Sequence, residues 1–274
     1  MEYFRTNMKI ILFLLLMIFV FLNAAIEPFI IQDMRILELP HDHPMFFQMY
    51  ASSIFASCIA LCASSIVDFK DLKPKHYIVA MAFGAVALLP MLVLSTSANI
   101  SLGVATFFTY LASVTMRNQY GNKMPIVTST KLPDIAIDVS IVVAIVVVLF
   151  LSQPWAIIEF NFSVNDVIFW LLATSIPEEV IYRLFLFYVV VKFSEDNNPP
   201  FFITILMLVI PFSIVHVIGT SIQSGLLSSL SNLITSGFII IATIISILAL
   251  KRGLFPAILL HFLINSIRAI ITVP

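Results

Sequence analysis

Long apolar runs, each broken by a short polar stretch, recur from one end of the chain to the other. Crossing about 30 Å of hydrocarbon takes about 20 apolar residues in helical form. Nine stretches meet that length: 9–26, 45–66, 76–95, 98–116, 135–152, 166–191, 200–219, 226–249 and 254–272. The fourth is the weakest, because it carries Ser, Thr and Gly and follows a very short loop. The first has Arg5 and Lys9 ahead of its apolar run, as a signal peptide does. Its length and the poor cleavage site around Leu22-Asn23-Ala24-Ala25 favour an uncleaved anchor. The pattern predicts an all-α polytopic membrane bundle of eight or nine transmembrane helices.

The basic residues test this division. With a cytoplasmic N-terminus, one side collects Arg5, Lys9, Lys70, Lys73, Lys75, Arg117, Lys123, Lys131, Lys192, Lys251 and Arg252. The other side collects Arg35 alone, while Arg183 and Arg268 fall within segments. That asymmetry is the positive-inside distribution of a cell-membrane protein. Short loops and the lack of a retention signal suggest a bacterial plasma membrane.

Composition agrees: 61% of residues are apolar, 11% are charged, and mean hydropathy is +1.08. A soluble domain is about 45–50% apolar and about 25% charged. The net charge of −1 is uninformative about partners, and no basic patch suggests nucleic acid. Cys58 and Cys62 lie four apart in one apolar segment, with no His or acid beside them, and read as small packing residues. No internal repeat of a transporter is visible. One continuous membrane domain is expected, with residues 1–164 lacking a motif and 165–274 carrying the unusual polar groups.

Those groups need a reason, because a charge at bilayer depth costs at least about 2.5–3.5 kcal/mol. They begin with Ser175-Ile176-Pro177-Glu178-Glu179-Val180-Ile181-Tyr182-Arg183. Pro177, and Ser175 three residues before Glu178, predict a break with a capped helix starting near Pro177. Glu179 and Arg183, four apart, share a face and can pair. Glu178 is rotated about 100° away and lacks that partner, which suits a general base. Equally, both glutamates can merely lock helices together. Phe212 and His216 share a face of the seventh segment, and His261 and Asn265 share one of the ninth. Asp138 and Asp166 read as ordinary interfacial carboxylates near helix starts, and Arg268 as snorkelling. His41 and His43 read as residues of a solvated loop, and His76 as a boundary residue.

The set EExxxR (Glu178, Glu179, Arg183), FxxxH (Phe212, His216) and HxxxN (His261, Asn265), in this order on membrane segments, resembles the CAAX protease and bacteriocin-processing family, also called Abi. The resemblance covers about residues 165–272. It implies a glutamate-type intramembrane endopeptidase. Glu178 and His216 would activate water, and His261 and Asn265 would form the oxyanion hole. Glu179, Arg183 and Phe212 would support the site. It implies a protein or peptide substrate, prenylated or bacteriocin-like, met within the lipid bilayer. No cofactor is expected. Zinc is the alternative, since two His and two Glu are available, although no HExxH is present. A non-catalytic immunity or scaffold protein and a transporter with a buried Glu/His relay are the other readings.

Overall fold

The computed structural model describes residues 44–70, 72–94, 98–121, 124, 131–151, 175–194, 198–224 and 238–270. The expected first segment, His41, His43, Asp166 and the start of the sixth and eighth segments lie outside the described residues, as do the side chains of His216 and Arg268. Eight helical rods and no strand are present among the described residues. They are α1 (Pro44–Ile66), α2 (Pro74–Leu94), α3 (Ala98–Tyr120) and α4 (Leu132–Leu151), followed by α5, α6 (Phe201–Ser224), α7 (Phe238–Arg252) and α8 (Leu254–Ile270). Helix α5 runs through three consecutive pieces, Ile176–Glu179, Val180–Phe185 and Leu186–Phe193. All eight coincide with predicted apolar runs.

Two described stretches, Ile100–Tyr120 and Leu132–Leu149, are long and apolar enough to cross a membrane on their own, and a polytopic bundle is compatible with the rest. The two differ in surroundings: 72% of the first is buried in protein, against 11% of the second. Helix α3, the least apolar run, is therefore the hub. Helices α1, α2 and α5 all pack on it. Its Ser and Thr residues meet protein, and several satisfy themselves on their own helix. The Thr109 hydroxyl donates to the Ala105 carbonyl at 2.7 Å, and Ser113 to that of Thr109 at 2.6 Å. Helix α4, the more hydropathic of the two, packs on α8 and turns most of its surface outward.

Small residues allow the close crossings, as is usual where lipid removes the hydrophobic drive between helices. A Cβ built on Gly103 would stand 2.9 Å from the Gly84 carbonyl oxygen and 2.9 Å from the Leu88 side chain. Ala56, Ala60 and Ala63 line a fully buried stripe of α1.

Three cross-helix contacts join helix ends in pairs on the side that the charge pattern assigned to the basic residues. The Asp68 N–H donates to Thr115 Oγ1 at 3.2 Å. Lys251 Nζ lies 4.8 Å from the centre of the Phe201 ring. Arg252 Nε donates to Asp138 Oδ1 at 2.6 Å. That last contact corrects the reading of Asp138 as an ordinary interfacial carboxylate. Asp138 is buried and ties α4 to the corner between α7 and α8, where Gly253 turns the chain at φ 97°.

Candidate active site

Helix α5 enters the site with an irregular turn. Ser175 is helical (φ −62°, ψ −43°) and makes no side-chain cap, so the expected capped start at Pro177 is not what forms. Pro177 lies near the start of the described helix, where a missing N–H costs little. The irregularity falls one turn later, as a π-helical stretch over Val180–Phe185. There the Leu186 N–H reaches back to the Ile181 carbonyl, five residues away. Single π turns recur at functional sites because they re-aim side chains that a regular helix would spread evenly.

Glu179 and Arg183 are completely buried, with Glu179 Oε1 3.2 Å from Arg183 Nη1. The pairing read from the i,i+4 spacing is present. It is not the whole environment of either group. His261 Nδ1–H, from α8, donates to the same Glu179 Oε1 at 2.8 Å. The other ring nitrogen, Nε2, lies 3.6 Å from Glu178 Oε2. Adjacent residues on a helix point about 100° apart, so one imidazole inserted between them meets each carboxylate with a different nitrogen. Glu178 therefore has an imidazole neighbour across the helix interface, where the spacing on its own helix gave none. Its side chain retains 19% exposure, against none for Glu179.

Phe212, from α6, closes the cluster. Its ring centre lies 4.1 Å from the Arg183 guanidinium carbon and 5.9 Å from the His261 ring, which meets it edge-on. A buried guanidinium over an aromatic face gains about 2 kcal/mol or more. This offsets part of the cost of Arg183 nitrogens that find no hydrogen-bond partner among the described residues. Tyr182 meets Phe212 edge to face and stacks on Phe55 of α1, while Phe238 of α7 stacks on the other side. The ladder Phe55–Tyr182–Phe212–Phe238 was not picked out of the sequence. Its signal, an aromatic residue immediately before Arg183, is lost among 25 phenylalanines.

Of the seven predicted site residues, five meet directly: Glu178, Glu179, Arg183, Phe212 and His261. Asn265 lies one turn beyond His261 on α8 and is partly exposed. The backbone of His216 lies in α6 one turn beyond Phe212.

A metal needs several donors aimed at one point, four for zinc. No such group of three or more His, Cys, Asp or Glu exists among the described residues. The two nitrogens of the His261 ring face different carboxylates.

Two buried or half-buried carboxylates, a buried guanidinium and an imidazole are thus assembled from separate helices in an apolar bundle. Residues 160–267, which contain all three motifs, match the family model described as type II CAAX prenyl endopeptidase, Rce1-like. Over this stretch the chain is similar to that family, as the motifs implied, and the family is one of membrane-embedded endopeptidases. No curated protein and no solved structure matches the chain.

Proposed function

We propose that the protein is a glutamate-type intramembrane endopeptidase that hydrolyses a peptide bond without metal. The observation that carries this reading is Glu178: the one carboxylate of the cluster reached by solvent, set 3.6 Å from His261 Nε2. That separation is too long for a hydrogen bond. It is short enough for one water to touch both groups at ordinary hydrogen-bond distances of about 2.8 Å.

In the proposed reaction Glu178, helped by His216, takes a proton from this water as its oxygen attacks the scissile carbonyl carbon. The tetrahedral intermediate carries its negative charge on the former carbonyl oxygen, which Asn265 and the doubly protonated ring of His261 stabilise as hydrogen-bond donors, His261 through Nε2–H while Nδ1–H stays on Glu179. Collapse breaks the C–N bond, and Glu178 returns the proton to the leaving amine. Glu179, Arg183 and Phe212 hold the arrangement and do not touch the reacting atoms. The substrate is a protein or peptide, prenylated or bacteriocin-like, that reaches the site from the bilayer. The membrane is the bacterial plasma membrane. The side assigned to Lys70, Lys73, Lys75, Lys251 and Arg252 is cytoplasmic, which accords with the excess of basic residues there.

The test compares peptides released from membranes carrying the wild type or Glu178→Gln. Loss of the base should slow cleavage by about 10²–10⁴-fold, with expression and membrane insertion unchanged. Equal release by the two would leave the cluster as a helix lock in a non-catalytic protein.

A further inference from the structure

Glu179 has a second neighbour that the pairing with Arg183 does not explain. Its Oε1 is shared between Arg183 Nη1, at 3.2 Å, and His261 Nδ1, at 2.8 Å. The shorter and better directed of the two is the bond to the imidazole. A carboxylate can only accept, so the proton of that bond belongs to Nδ1. The bond made by one ring nitrogen decides which state the other presents.

We infer that Glu179 is a positioning residue that acts through His261: it holds the proton on Nδ1 and turns Nε2 toward Glu178 and the reacting atoms. The inference deepens the proteolytic reading and rests on it for the word reacting. The tautomer itself does not depend on that reading. Arg183 belongs to the same chain of contacts. It lies over the Phe212 ring at 4.1 Å, and Phe212 meets His261 edge-on at 5.9 Å. One buried side chain thus fixes the carboxylate, and its aromatic platform limits tilting of the imidazole. The cluster is a relay of orientation running from Arg183 through Glu179 to His261 Nδ1, with Nε2 as the working end.

A purely structural role predicts something different. If Glu179 serves only to neutralise Arg183, removing both charges together should leave His261 and turnover as they were. If Glu179 positions His261, the neutral double variant stays impaired although its buried charges are balanced.

The experiment uses the full chain in lipid nanodiscs with ¹⁵N-labelled histidine, where a bare ring nitrogen resonates far from a protonated one. The His261 signals are assigned by their loss in His261→Gln. In the wild type Nδ1 should be protonated, and a bare Nδ1 overturns the inference outright. In the double variant Glu179→Gln with Arg183→Gln, the Nδ1-protonated population should fall in favour of the Nε2–H tautomer that free imidazole prefers. Cleavage is read on a farnesylated peptide ending in a CAAX sequence. In the double variant kcat should fall on the order of 10²-fold with KM unchanged. An unchanged tautomer, or recovery of wild-type kcat in the double variant, returns Glu179 to the role of counterion. If wild type and Glu178→Gln handle the peptide alike, the proteolytic reading fails, and the wild-type tautomer still decides the role of Glu179.

Discussion

Arg183→Ala should destabilise the protein far more than Glu178→Gln. Arg183 has no exposed surface, stands 3.2 Å from Glu179 and 4.1 Å from the Phe212 ring centre. Among the described residues, deleting it leaves Glu179 with the hydrogen bond from His261 and with Oε2 unpartnered. Removing one member of a buried ion pair costs about 3–5 kcal/mol, because the other charge is left uncompensated. Lipid-embedded helices that separate find other polar partners, which draws measured values toward the lower end of such ranges. About 3 kcal/mol is then expected, roughly 6–12 °C in Tm on the scale of domains this size. Glu178 is partly solvated and its neighbour is 3.6 Å away, so neutralising it resembles loss of a surface pair, worth about 1 kcal/mol or less. The assay is thermal unfolding of both purified variants in the same detergent. Adding Glu179→Gln to Arg183→Ala should recover much of the loss. Coincident melting of Arg183→Ala and Glu178→Gln would refute the buried pair as a structural element.

Three further outcomes are expected. Asn265→Ala should lower kcat on the order of 10²–10³-fold with little change in KM; a drop in Tm with unchanged turnover per folded molecule would instead make Asn265 a helix-packing residue. Cleavage should survive strong chelation, whereas loss of activity restored by added zinc would establish the metal alternative. Gly103→Ala should cost about 1–3 kcal/mol of stability, since its Cβ would stand 2.9 Å from the Gly84 carbonyl oxygen, while Gly84→Ala, at 3.1 Å from the Gly103 carbonyl oxygen, should cost less; the reverse order in thermal unfolding would show that α2 and α3 do not cross there.

The helices were legible because hydrocarbon leaves a backbone no other economical way to satisfy its polar groups. Each described helix accordingly lies where an apolar run was read. Which helix faces lipid was less legible. The run 98–116 looked weakest as a span because of Ser101, Thr106, Thr109 and Ser113. Those residues are buried, so the same polarity marks the helix that packs on three others. Low hydropathy within an otherwise apolar chain reports protein contact as readily as it reports a poor span.

The site divides along a similar line. Contacts made within one helix follow from spacing, and the Glu179–Arg183 pair was read in that way. Contacts made between helices do not, because register across an interface depends on packing that no single segment encodes. Asp138 and Arg252, 114 residues apart and on different helices, meet at 2.6 Å. Glu178 looked solitary for the same reason, and His261, 83 residues later in the chain, supplies its neighbour. The consequence for mechanism is specific. Spacing on α5 separates the glutamates into a paired one and a free one, and the structure keeps that distinction in their burial. What joins them is a ring from α8 that touches both, so the environment of the working carboxylate is set partly by the buried one. Coupling of this kind requires α5 and α8 to hold a fixed register. The tie between Asp138 and Arg252, at the corner from which α8 departs, is placed to preserve it.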